Sequence, residues 1–120
     1  MTPIELSAIA QKWFDAFNTH DLESLLRLYH DAARHYSPKL KLRQPQTKGW
    51  IEGKAELRAW WQDAFDRLPS LRYAAIRLTP YENRVFMEYI RQVDQEEDML
   101  VGELLEIKEG KIIQSMVFHT

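Results

Sequence analysis

Apolar side chains recur at helical spacing through the first half of this chain and alternate through the second. Leu6, Ile9, Trp13 and Phe17 fall on one face of a helix. Thr2, Pro3 and Glu5 supply its cap, its first-turn proline and the third-position acid of a capping box. Asn18 and Thr19 close it. Asp21 is placed to cap a second helix, on which Leu22, Leu25, Leu26 and Tyr29 share a face. Residues 33–36 read as a short strand that Ser37-Pro38 breaks, and 39–49, polar, basic and interrupted by Pro45, as a mobile loop. Gly53 precedes a third helix carrying Leu57, Trp60, Trp61, Ala64, Phe65 and Leu68, which Pro69 ends. The period then falls to two: 71–79, 85–93, 99–108 and 112–119 are strand-like runs separated by turn residues.

Helices first and consecutive strands afterwards define an α+β domain, with the helices packed on one face of a sheet whose last half is an antiparallel meander. A length of 120 residues suits one domain spanning 1–120, and 45% hydrophobic residues with four tryptophans suit a packed core. The net charge of -2 comes from interspersed charges of both signs, which favours neither nucleic acid nor an anionic membrane as partner. No run is apolar enough to span a bilayer. The chain has no cysteine, which removes thiol catalysis and thiolate metal sites. His20, His30, His35 and His119 show no ligand-pair spacing, so neither a metal nor a cofactor is expected. The opening MTPIELSAI lacks a basic segment followed by an apolar signal core, so a cytoplasmic protein is expected.

Three segments carry a family resemblance: AFNTHDLESLLRLYHDAA, GWIEGKAELRAWW and LLEIKEGKIIQSMVFH. In order and spacing they resemble the SnoaL-like branch of the nuclear transport factor 2-like superfamily. The resemblance implies a cone in which a strongly curved mixed sheet wraps the N-terminal helices and encloses an apolar pocket, often in a homodimer. It also implies a choice between isomerase, cyclase or dehydratase chemistry and binding without catalysis, because fold does not settle function. Carried over position by position, the oxyanion-donating tyrosine of the ketosteroid-isomerase-like members falls at Trp13. Their aspartate base falls at Tyr36 and their protonated acid at Glu103. The aspartate of the polyketide cyclases falls near Val117. Only Glu103 keeps its role, since indole lacks a phenol's acidity and a phenol with its ordinary pKa near 10 is a poor base.

The remaining polar groups depend on register. Alternation puts Glu103, Leu105 and Ile107 on one strand face and Ser115, Val117 and His119 on one face of the last strand. A bulge near Glu109-Gly110 brings both sets onto the concave side. A tight two-residue turn pairs Glu103 with Met116 and turns His119 outward. Under the bulged register Glu103 and His119 are the candidate catalytic pair. Trp13, Tyr36, Trp61, Ser115 and Val117 would line the site, and His35, alternating with Tyr36, would face the surface. Arg91 is expected to pair across strands. The expected partner is a small apolar or aromatic molecule. A homodimer would form through outer-face residues such as Phe86, Ile90 and Met116. Two classes stay open: an acid–base enzyme without a cofactor, which needs convergent titratable groups, and a ligand-binding or dimerisation module, which needs only apolar walls.

Overall fold

A computed structural model describes residues 1–119. Helix α1 (Pro3–Asn18) starts at the expected capping box: Glu5 N donates to Thr2 Oγ1 at 3.1 Å, and Thr2 N to Glu5 Oε1 at 2.9 Å. Its stripe of Leu6, Ala10, Trp13, Phe14 and Phe17 is buried. Asp21 caps α2 (Leu22–Arg27) by accepting from Ser24 N. This helix is shorter than the sequence pattern suggests, because Ile112 N donates to Leu28 O at 2.8 Å and Lys111 Nζ to Arg27 O at 2.7 Å. Those bonds draw the chain into the sheet, so Tyr29 opens strand β1 (Tyr29–Tyr36) instead of closing the helix.

Ser37-Pro38, read as a breaker, starts a helix. Ser37 Oγ accepts from Lys39 N at 3.2 Å and Pro38 takes a first-turn position, giving α3 (Pro38–Arg43) within the segment expected to be a loop. Leu40 is fully buried and anchors it. A 3-10 turn (Pro45–Thr47) leads to the short strand β2 (Trp50–Glu52), then to α4 (Lys54–Arg67), which buries Leu57, Trp61 and Phe65. The meander follows as expected: β3 (Arg72–Tyr81), β4 (Arg84–Gln92), β5 (Met99–Lys108) and β6 (Lys111–His119).

The six strands lie in the order β2-β1-β6-β5-β4-β3, with β1 parallel to β6 and every other pair antiparallel. The sheet is therefore mixed, and it is curved and unclosed with the helices on its inner side. A ladder of rings ties α1 to it: Phe17 stacks on Tyr73 at 4.1 Å between centroids, and Tyr73 lies 4.2 Å from Tyr89. Such pairs add about 0.5–1.5 kcal/mol each beyond the area they bury.

The β5–β6 hairpin combines two features that were alternatives in sequence. Glu109 (φ 55°) and Gly110 (φ 76°) form a tight two-residue connection between Lys108 and Lys111. Ile107 then pairs with Ile112 but Glu106 pairs with Gln114, so Ile113 is an extra residue in β6. Beyond this bulge Leu105 faces Ser115, Glu103 faces Val117 and Val101 faces His119. Glu103 and His119 are consequently on the same, inner face.

Candidate functional site

Between α1, α3, α4 and the inner face of the sheet lies a cavity of about 320 Å³. That is near the lower end of the roughly 300–1,000 Å³ typical of ligand sites, so it suits a small molecule. Of its lining residues Trp13, Tyr89 and Glu103 are at most 2% exposed and mark its deep part, Tyr73, Trp61, His35, Val117 and His119 form the walls, and half-buried Lys39 with the exposed Arg43, Arg67 and Glu96 marks the mouth.

Glu103 is 2% exposed. Tyr89 Oη donates to its Oε1 at 2.7 Å, while Oε2 has no hydrogen-bond partner among the described residues. Burial pushes its carboxyl up to about 7 against the opposing pull of the Tyr89 hydrogen bond. The Tyr89 phenol is pushed the same way by its own burial and by the neighbouring Glu103 charge, so it stays a donor. A carboxyl in this setting is populated in both protonation states at neutral pH. That is the property needed to accept a proton and return it.

A second arrangement fixes a histidine. Trp13 Nε1 donates to Tyr29 Oη at 3.1 Å, Tyr29 Oη donates to Ser115 Oγ at 3.0 Å, and Ser115 Oγ lies 2.6 Å from His35 Nδ1. The arrangement that gives every hydroxyl proton an acceptor runs from the indole N–H to Tyr29, from Tyr29 to Ser115, and from Ser115 to the ring. His35 Nδ1 is therefore an acceptor, and the neutral ring carries its proton on Nε2. Burial holds this imidazole down at about 4, neutral at physiological pH. His35 thus lines the cavity as a neutral N–H donor.

Five of the residues expected at the site line the cavity: Glu103, His119, Trp13, Trp61 and Val117. His119 pairs with Val101 and so sits diagonally across from Glu103, a relation that places Cα atoms about 7–8 Å apart. Trp13 contributes ring surface, its N–H being engaged by Tyr29. Two residues are elsewhere. Ser115 is fully buried behind the wall, holding Tyr29 and His35. Tyr36 packs on the outer side against Trp50 and Gly49, where a Cβ on the glycine would come within 2.5 Å of its ring. The expectation for Tyr36 and His35 is therefore reversed. Tyr29, Ala33 and His35 are the buried positions of β1, with its irregularity between Tyr29 and Arg34 setting the phase. Sequence reading also missed Tyr89, Lys39 and Arg91 as cavity residues. Arg91 ion-pairs with Glu96 in the following loop, at 2.9 Å, and Glu88 on the outer face pairs with Arg77 at 3.2 Å. Among the described residues no group of three His, Asp or Glu side chains gathers as a metal site would require, and no helix is long and apolar enough to cross a membrane.

The SnoaL-like domain family matches residues 10–115, and the chain belongs to that family. Its fold is shared with nuclear transport factor 2-like proteins of solved structure, as the resemblance implied. A SnoaL-like protein of unknown function from Burkholderia thailandensis superposes with a TM-score of 0.89 at 21% identity, covering 100% of this chain and 98% of that one. A candidate ketosteroid isomerase from Kribbella flavida gives 0.81 at 20% identity, covering 98% and 79%. A candidate polyketide cyclase from Sinorhizobium meliloti gives 0.80 at 15% identity, covering 98% and 100%. At these identities the likeness speaks for the fold. No curated protein matches the sequence.

Proposed function

We propose that this protein is a cofactor-independent acid–base enzyme acting on a small, largely apolar carbonyl or hydroxyl compound by isomerisation, cyclisation or dehydration. Glu103 carries the reading: a buried carboxyl at the deep end of a ligand-sized cavity, raised to about 7, with one oxygen held by Tyr89. It takes a proton from the carbon next to a carbonyl, and His35 Nε2–H holds the oxygen on which negative charge develops. Return of the proton to another carbon isomerises the compound. Attack of the enolate carbon on a second carbonyl closes a ring, and the alkoxide formed takes the proton back from Glu103. Loss of a β-hydroxyl, with His119 on the same wall to pass it a proton, dehydrates it. Structural neighbours described as candidates for an isomerase and a cyclase suit this range.

The test is solvent exchange. Aryl ketones and β-dicarbonyl compounds incubated in D2O should gain deuterium beside the carbonyl faster with the protein than without it. Glu103→Gln should slow that exchange at least ~100-fold. Exchange that is unchanged in Glu103→Gln would remove Glu103 from the chemistry, and compounds that bind the native protein without exchange would favour a noncatalytic ligand-binding module.

The outer sheet face supports a homodimer as part of the same proposal. Phe86 (36% exposed), Leu100 (58%) and Phe118 (48%) cluster there, with the Phe86 ring lying over Gly102. Light scattering at micromolar concentration is expected to give twice the 14.3 kDa chain mass, and Phe118→Glu to shift it to the monomer. A monomer for the native chain would count against this surface.

A further inference from the structure

The mouth of the cavity carries more positive charge than its surroundings neutralise. Lys39 and Arg43 reach it from α3, Arg67 from the end of α4 and Arg91 from β4. Arg43 and Arg67 share one carboxylate, Asp63, at 3.9 and 2.8 Å. Arg91 Nη1 meets Glu96 Oε1 at 2.9 Å. Lys39 has no carboxylate within ion-pair distance among the described residues. Two carboxylates thus face four cations, in a chain whose net charge is -2. The two least exposed cations are the informative ones. Arg91 has an 8% exposed side chain and spends one N–H on the half-exposed Glu96. Lys39 is half-buried, and its ammonium is held below the usual lysine range by burial first and then by repulsion from Arg91, with Arg67 and Arg43 adding to it and the attraction of Glu96 opposing it only in part. Packing like charges around a half-buried ammonium is unfavourable unless an anion joins them.

Behind this ring the lining changes character. Trp60, Trp61, Leu68 and Met99 present apolar surface, and Glu103 and His35 lie at the inner end. A ligand that satisfies both halves has a charged end and an apolar or aromatic body. We propose that the pocket binds an amphiphilic carboxylate, in which Lys39 and Arg91 take the carboxylate at the mouth while the apolar body lies against the tryptophans. The proposal rests on the reading that this cavity holds a small carbonyl compound, and it names that compound's class: an aryl or alkyl keto acid whose keto group reaches Glu103. Arg91 suits the role because a planar guanidinium can hold a carboxylate through two parallel N–H bonds, and Lys39 adds a point charge.

Binding, which needs no turnover, tests the inference separately from the chemistry. A series of ω-phenyl keto acids of three to five backbone carbons is titrated by calorimetry beside the primary amide of each. The acids should bind at least ~10-fold more tightly than their amides. Lys39→Glu, in the first turn of α3, should abolish or reverse that advantage. Circular dichroism checks that the variant is folded. Equal affinity for acid and amide, an advantage that survives Lys39→Glu, or no binding by any acid in the series would overturn the proposal. Acid-selective binding without deuterium exchange would sustain the carboxylate site and sink the acid–base reading. Exchange of neutral ketones with no preference for acids would do the reverse.

Discussion

Glu103→Gln should stabilise the protein at pH 8 by about 3 kcal/mol relative to the native chain and change little at pH 4. The sign follows from the direction of the shift. Burial raises the Glu103 carboxyl from 4.5 to about 7 in the folded state. The neutral carboxyl therefore favours folding fully below about 4.5, and that contribution is lost as the pH climbs through 7. Gln keeps the neutral hydrogen-bonding shape at every pH and never carries the buried charge. For a chain of this size the gain amounts to a rise in melting temperature of about 10 °C at pH 8. His35 acts in the opposite sense. Its ring is held down to about 4 from 6.5, so its contribution is complete above about 6.5 and is lost as the pH falls through 4. Between about pH 4.5 and 6.5 folding takes up a proton at Glu103 and releases one at His35, and the two dependences offset each other. Thermal melts of Glu103→Gln across pH 4–8 should then expose the His35 slope alone, with stability rising up to about pH 6.5. Parallel melting curves for variant and native chain would show that Glu103 ionises as freely in the fold as in water.

Ser115→Ala should cost about 3 kcal/mol in urea unfolding, far more than the loss of one small side chain suggests. The hydroxyl is fully buried and receives the Tyr29 proton while giving its own to His35 Nδ1. Removing it leaves one donor and one acceptor without partners in the interior, each worth about 1–3 kcal/mol. The substitution also removes what sets the His35 tautomer. Nitrogen chemical shifts of the ring should report the proton on Nε2 in the native protein and a mixture of the two tautomers in the variant. A cost below about 0.5 kcal/mol with an unchanged tautomer would contradict the relay from Trp13 to His35.

Much of the fold was legible because it is built from local signals. The capping box at Thr2 and Glu5, the stripe of α1 and the alternation of β4 and β5 depend on neighbours a few residues apart. Glu103 could be placed inward on the same ground, between Val101 and Leu105. The misreadings arose where distant chain segments decide. Tyr29 leaves the helix because β6, more than eighty residues on, engages Leu28 and Arg27. The phase of β1, and with it the exchange of Tyr36 for His35, follows from a parallel pairing that no hairpin announces. Ser37-Pro38 was ambiguous in itself, since the same pair can end one element or cap the next. The cationic mouth was legible only in part: the basic stretch 39–49 holds Lys39 and Arg43, but Arg67 and Arg91 come from α4 and β4, and only the fold brings the four together.

The extra residue at Ile113 makes the chemistry of the last wall a matter of parity. Ser115, Val117 and His119 point inward because an odd number of residues has been inserted ahead of them, and their neighbours Met116 and Phe118 point outward for the same reason. Loss of the bulge at unchanged chain length would exchange the two sets at once, because regular pairing continued from Ile107 and Ile112 sets Glu103 opposite Met116. It would line the cavity with Met116 and Phe118 and turn His119 out to the opposite face. Deleting Ile113 would instead leave a regular ladder with Ser115, Val117 and His119 still facing inward, so the bulge lets the strand carry one more residue without changing which side chains face the cavity.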